Sequence, residues 1–228
     1  MKITASSLIR WAGLSAMAAG IIFVVVQPIH PPDVLSSVTT ARWAIVHIFS
    51  VAMCFLALLG ITGLYARQVE EAGWLGLVGY ISFSLFWALQ APYTFAEAFI
   101  LPQLTTAAPE VVRGSLAIVV GGPGRNLGAF ATVYQVVGLL YILGGLLFGI
   151  ATLRAGILSR WAAGLFGFGA VSSFAFALLP PALEPLATVP VGSGLAWLGH
   201  ALWSERQGRA AQTVPAREHA RLRPTPAA

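Results

Sequence analysis

The stretch Gly73-Trp-Leu-Gly-Leu-Val-Gly-Tyr80 begins an apolar run that continues through Gln90-Ala-Pro-Tyr-Thr-Phe-Ala-Glu97 to Leu101. The run is long enough to cross a bilayer, because a spanning helix needs about 20 mostly apolar residues. Glu97 is the one acidic residue of the sequence that lies inside an apolar segment. We therefore predict a transmembrane helix here, with an ionisable group near its end.

The polar side chains of this helix are predicted to share one face. At about 100° per residue, five of them fall within roughly 120° of one another: Trp87, Gln90, Tyr93, Thr94 and Glu97. Such a stripe is expected to face protein or water rather than lipid. Pro92 lacks a backbone donor, which predicts a kink in the same stretch.

The composition of the whole chain is that of a membrane protein. Its 228 residues are 57% hydrophobic and only 9% charged, against about 25% charged in soluble domains. The mean hydropathy is +0.81. A soluble fold of this size could not bury so many apolar side chains, which leaves a polytopic membrane protein as the fitting class.

The apolar segments define the domain organisation. Six of them reach spanning length or nearly so, at about residues 8–26, 43–65, 74–101, 127–153, 161–179 and 186–203. We predict an all-α fold, a six-span transmembrane helix bundle over residues 1–204. Residues 205–228 are polar, basic and rich in alanine and proline, which predicts a disordered cytoplasmic tail.

The distribution of positive charge predicts the topology. If both ends are cytoplasmic, ten lysine and arginine residues lie inside, and only Arg42, Arg113 and Arg125 lie outside. This bias favours a topology with both ends in the cytoplasm (N-in, C-in). Five tryptophans at predicted segment ends are typical of an aromatic belt: Trp11, Trp43, Trp74, Trp161 and Trp203.

Two ionisable side chains are predicted to lie at the same depth. With a rise of 1.5 Å per residue, Glu97 lies about 35 Å from Trp74 at the inner end of its helix, near the outer boundary. His47 lies about 6 Å from the same boundary, because its helix enters from outside at Trp43. We therefore predict a polar pocket in the outer half of the bundle. Its candidate ligand-binding or proton-coupling residues are His47, Glu97, Gln90, Tyr93, Trp87 and Gln135.

Other interpretations of these residues stay open. His30, His47 and Glu97 have side chains that bind metals, with Asp33 as a further ligand, although no pair has a signature spacing. A haem could be held only by His30 with His47, since His200 lies at the opposite face. Equally, Glu97 can reach interfacial water, and His47 can bond a backbone carbonyl.

Four short stretches resemble a family of proteins. They are Gly63-Leu-Tyr-Ala-Arg-Gln68, Glu97-Ala-Phe-Ile-Leu-Pro102, Phe148-Gly-Ile-Ala-Thr-Leu-Arg-Ala-Gly156 and Gly194-Leu-Ala-Trp-Leu-Gly199. With them, most of residues 8–203 resembles an uncharacterised family of bacterial multi-pass inner-membrane proteins. The resemblance implies about six spans and transfers no catalytic role, because no activity is assigned to that family.

Three functions compete on this basis. The leading hypothesis is a non-catalytic module that binds a partner subunit, a lipid or a small hydrophobic ligand in the outer pocket. The second is a proton-coupled small-molecule transporter that uses Glu97 and His47. The third is a haem- or metal-dependent membrane oxidoreductase. The expected partners are membrane lipid and a membrane protein or a second copy of the chain. Nucleic acid is not expected, because the basic tail carries no aromatic residues.

Overall fold

The computed structural model describes residues 3–119, 122, 127–176, 183 and 186–221. Within these ranges the chain is helical and contains no strand, so the all-α prediction is confirmed. The helices are α1 (Ala5–Val26), α2 (Ala41–Phe95), α3 (Leu101–Leu104), α4 (Pro109–Val119), α5 (Phe130–Ala155), α6 (Arg160–Phe176) and α7 (Thr188–Arg221). A π-helical turn (Ala96–Ile100) joins α2 to α3.

Helix α2 is a hairpin of two antiparallel arms. Gln68 and Gly73 have non-helical backbone angles, with φ of −127° and +57°. The arms on either side, residues 41–67 and 74–95, pack against each other. Thr62 Oγ1 lies 3.2 Å from the Tyr80 hydroxyl, and the Tyr65 and Tyr80 rings stack with centroids 4.6 Å apart. The chain therefore reverses between residues 68 and 73, and glycine supplies the positive φ that the reversal requires.

Small residues allow the helical segments to pack closely. We call these segments rods: α1, the two arms of α2, α5, α6 and α7. The Cα of Ala16 on α1 lies 2.6 Å from where a Cβ at Gly60 would be, and the Cβ of Ala12 occupies the corresponding place at Gly63. A Cβ at Gly144 would lie 2.5 Å from the backbone nitrogen of Phe83. These contacts bring α1 against the first arm of α2, and α5 against the second arm.

The remaining contacts close the rods into a ring. A Cβ at Gly149 would lie 2.6 Å from the Cα of Gly167, which places α5 on α6. The sequence spacing Gly145-x-x-x-Gly149 is typical of such close helix packing. Contacts of Gly194 with Phe166 and of Gly13 with Gly199 join α6 to α7 and α7 back to α1. Each rod therefore runs antiparallel to its two neighbours.

Short elements cover one end of this bundle. We call it the loop end, because residues 27–40 lie there, and we call the end with residues 68–73 the turn end. Val38, Trp43, Leu101, Val112 and Leu116 form a small apolar cluster that packs α4 and α3 onto the loop end. The Tyr93 hydroxyl donates to the carbonyl of Ser115 at 3.1 Å, which ties α4 to α2.

Three of the described helical stretches are long and apolar enough to cross a membrane: Ala5–Val26, Ala41–Leu104 and Phe130–Ala155. This supports the coarse prediction of a helical membrane protein. Trp11, Trp74 and Trp161 are exposed, as residues of an aromatic belt would be. Trp43 is instead fully buried, because its indole bonds a backbone carbonyl in the core.

Two local features differ from the sequence predictions. Backbone angles through Pro92 stay helical, and the irregularity falls four residues later in the π-helical turn. Helix α7 continues to Arg221, past residue 204 where the ordered part was expected to end. Its last turns are rich in alanine, arginine, glutamine and glutamate, which have high helix propensity. Residues 177–179 of the predicted fifth span and 222–228 of the predicted tail lie outside the described ranges.

Candidate functional site

A cavity of about 470 Å³ opens at the loop end of the bundle. Polar side chains from the residue 27–40 loop, both arms of α2, the π-helical turn and α5 line it. Among them are His30, Asp33, His47, Gln90, Tyr93 and Glu97. So many polar groups in a chain with 9% charged residues make this cavity the candidate functional site.

The π-helical turn places Glu97 in this cavity. In the turn, the amide of Leu101 donates to the carbonyl of Ala96, five residues earlier. The carbonyl of Glu97 would take the next amide in that register, but residue 102 is proline and has no N–H. Trp43 supplies the missing donor, because its Nε1–H lies 2.8 Å from the Glu97 carbonyl oxygen. Single π-helical turns of this kind are frequent at functional sites.

His47 and Glu97 face each other, as the depth argument predicts. His47 Nε2 lies 3.6 Å from Glu97 Oε2, and the two residues are 2% and 7% exposed. His47 Nδ1 lies 2.8 Å from the carbonyl of Trp43. A carbonyl only accepts, so Nδ1 carries a hydrogen, and Nε2 of the neutral ring is an acceptor. At 3.6 Å the two atoms lie beyond hydrogen-bonding distance, so they form an ion pair only when the ring carries a second proton.

Asp33 adds a second acid from the loop. Its Oδ1 is buried and has no hydrogen-bonding partner within the described part of the chain. Burial raises the pKa of Asp33 above its ordinary value, and the neighbouring His30 lowers it by a smaller amount. The loop is held in place where Arg42 Nε donates to the carbonyl of Ile29 at 2.6 Å.

The metal ligands predicted from the sequence, His30, His47 and Glu97, lie near one another at the loop end. No group of three histidine, cysteine, aspartate or glutamate side chains in the described ranges is arranged to hold a metal ion. His30, His47 and Glu97 are neighbours, but His30 Nδ1 is used by the Pro31 carbonyl at 2.7 Å and His47 Nδ1 by the Trp43 carbonyl. The local backbone therefore orients both rings through their Nδ1 atoms.

A haem between His30 and His47 does not fit either. The two rings are in direct edge-to-face contact, with centroids 5.1 Å apart. Trp43 stacks on the other side of His47 at 4.0 Å. No space for a planar macrocycle lies between the two imidazoles, so the residues do not match the ligation that a bis-histidine haem requires.

The structure brings four of the six candidate pocket residues together. His47, Gln90, Tyr93 and Glu97 line the cavity. Trp87 lies deeper in the core against Phe23 and Phe83, with centroids 5.9 and 5.8 Å away.

Gln135 is exposed on α5 and points away from the cavity, because Tyr134 takes the inward position. One residue along a helix is a rotation of about 100°, so the choice between these neighbours depends on the phase of α5. The apolar positions Val137 and Tyr141, which are three and seven residues after Tyr134, give that phase.

Comparisons with known proteins do not extend this description. Neither the family models, nor the curated proteins, nor the solved structures with which the chain was compared match it. The described part of the chain is helical, with helices long and apolar enough to cross a membrane and a polar cavity at one end of the bundle.

Proposed function

We propose that this is a multi-pass protein of the bacterial inner membrane whose cavity binds a small ligand without catalysing a reaction on it. The cavity of about 470 Å³ carries the proposal, because ligand pockets typically measure about 300–1,000 Å³. His47, Thr94 and Glu97, which are all buried, converge on it. Such groups in a membrane protein are expensive to keep and mark binding sites and pathways.

The proposed topology has six spans with both termini in the cytoplasm. The two arms of α2 are separate antiparallel rods, and α6 and α7 complete the ring with α1 and α5. The turn end would then face the cytoplasm and the loop end the outside, which follows the positive-inside rule. The cavity accordingly opens toward the outer face of the membrane.

A small ligand suits the cavity better than a docked subunit. Its functional groups lie inside a concavity, and Glu97 is 7% exposed. A partner subunit binds across a broad surface of about 800 Å² on each side. A membrane protein partner, a second copy of the chain or a bound lipid would each be recognised if it copurified in fixed stoichiometry.

Ligand binding can be tested with the purified protein in lipid nanodiscs. Polar small molecules are screened for those that raise the unfolding temperature, and each hit is repeated with Glu97→Gln and His47→Ala. Glu70→Gln is the matched control, because Glu70 is exposed and lies outside the cavity. We expect hits that are lost in both cavity variants and kept in the control. Hits that persist in all variants would place binding elsewhere.

The His47–Glu97 pair favours a second function, proton-coupled transport. His47 Nε2 and Glu97 Oε2 lie 3.6 Å apart, and ionisable pairs inside membranes commonly serve as proton relays. Substrate binding between the two groups would exchange with a proton on one of them. The test is uptake by proteoliposomes under a pH gradient. Uptake that continues unchanged in Glu97→Gln and His47→Ala would remove this function.

A further inference from the structure

Two apolar pockets adjoin the polar cavity, and the same two residues line all three spaces. One apolar pocket measures about 290 Å³, and Phe23, Phe86 and Gly138 are in its wall. The other measures about 200 Å³ and lies between the second arm of α2 and α5. Gln90 and Tyr134 belong to the lining of the polar cavity and of both apolar pockets. The site thus has a polar compartment and apolar compartments that meet at a shared wall.

The polar compartment presents two acids and two histidines. Asp33 and Glu97 line it together with His30 and His47, and the described part of its wall contains no lysine or arginine. Asp33 Oδ1 is buried without a hydrogen-bonding partner. A buried carboxyl group needs a proton or a positive partner, because an isolated charge is costly to desolvate.

Aromatic rings complete the wall of this compartment. Tyr93 and Tyr134 lie with ring centroids 5.1 Å apart, and both line the cavity. The face of a tyrosine ring attracts cations through its quadrupole. The acids and the rings together therefore favour a positively charged head group.

We propose that the ligand is a single-chain amphiphile with a protonated amine head, an inference that rests on the ligand-binding function proposed above. The head occupies the polar cavity beside Glu97 and Asp33. The alkyl chain passes Gln90 and Tyr134 and lies in the apolar pocket beside Gly138. Burial of the alkyl chain in that apolar pocket contributes to the affinity through the hydrophobic effect.

Gly138 provides a way to fill the tail pocket. A Cβ at this position would meet no atom within 4 Å, so a larger side chain enters open space. Leucine is also a better helix former than glycine, so Gly138→Leu is compatible with α5. Gly164→Leu on α6 is the matched control. The nearest atom to a Cβ there is 3.7 Å away, and Gly164 lines none of the three spaces.

The experiment is isothermal titration of the full chain in nanodiscs, with empty nanodiscs as the blank for partitioning into lipid. The probes are dodecylamine, dodecanoate with the opposite head charge, and ethylamine without the tail. We expect dodecylamine to bind at least tenfold more tightly than either of the others. We expect Gly138→Leu to weaken dodecylamine binding about tenfold, with no change for ethylamine and no effect of Gly164→Leu.

The possible failures are separable. Dodecanoate binding as tightly as dodecylamine would overturn the cationic head. If the wild type binds ethylamine, octylamine and dodecylamine equally tightly, the proposed alkyl tail is wrong, and the polar-ligand function remains intact. This comparison needs no variant, so it holds even if Gly138→Leu fails to fold. Loss of binding for every polar molecule in the wild type would instead remove the proposed function itself.

Discussion

Replacing Trp43 with phenylalanine removes one buried hydrogen bond and keeps the aromatic ring against His47. The Nε1–H of Trp43 is the donor to the Glu97 carbonyl at 2.8 Å, and Trp43 is fully buried. Pro102 cannot replace it, because proline has no amide hydrogen. A buried acceptor left without a partner costs about 1–3 kcal/mol. We expect Trp43→Phe to lower the free energy of unfolding by that amount.

The assay is equilibrium unfolding in mixed micelles of mild and denaturing detergent, followed by circular dichroism, so that the loss of an indole does not affect the signal. Trp74→Phe is the control, because Trp74 is 81% exposed. Surface changes of this kind stay within about 0.5 kcal/mol. Equal effects of the two substitutions would refute the role assigned to the Trp43 indole.

A double-mutant cycle tests the reason for the bond. Pro102→Ala restores an amide donor at the place in the π-helical turn where the Glu97 carbonyl needs one. In that background Trp43→Phe should be less destabilising, with a coupling of about 1 kcal/mol between the two positions. Strictly additive effects would show that Trp43 does not substitute for the missing amide.

Three other changes have outcomes set by the structure. Gly149→Leu should lower the free energy of unfolding by about 3 kcal/mol or more in the same assay, because its Cβ would lie 2.6 Å from the Cα of Gly167 on α6. A loss of stability no larger than that of Gly164→Leu would contradict the packing of α5 on α6. Gly73→Ala should cost about 1–3 kcal/mol, since φ of +57° with ψ of −159° is a region restricted to glycine; an unchanged transition would show that the turn is wrong. The pKa of Asp33 is raised above 3.8 in the folded protein, so the folded state holds more protons and the free energy of unfolding should fall as pH rises above that value. A pH series should show this fall in the wild type and a smaller one in Asp33→Asn, and identical profiles would count against it.

Periodicity and depth were sufficient to predict the centre of the site. The matching heights of His47 and Glu97 follow from the rise of the helix and from the inner and outer ends of each segment. The hairpin in α2 also follows from sequence, because charged residues Glu70 and Glu71 interrupt two apolar runs next to Gly73. Such signals are local, and they need no knowledge of which rods are neighbours.

Other features depend on neighbours that one segment cannot reveal. Trp43 lies at a segment end like the belt residues, but its bond to the Glu97 carbonyl and its stacking on His47 hold it in the core. Tyr134 rather than Gln135 faces the cavity because α5 packs at a particular rotation. Pro102, five residues after Glu97, is a sequence signal for the π-helical turn. The turn also depends on the Trp43 indole of the other arm of α2, which donates to the Glu97 carbonyl.

We propose that a polar, acidic cavity opens on the outer face of the membrane. Ser50 lines this cavity, and Cys54 is the only cysteine of the chain. Ser50→Cys in a Cys54→Ala background is therefore treated with a membrane-impermeant cationic thiol reagent and with its anionic counterpart. We expect labelling of intact cells from outside, faster with the cationic reagent. Labelling only in inverted vesicles, or a faster reaction with the anion, would rule out an acidic cavity open to the outside.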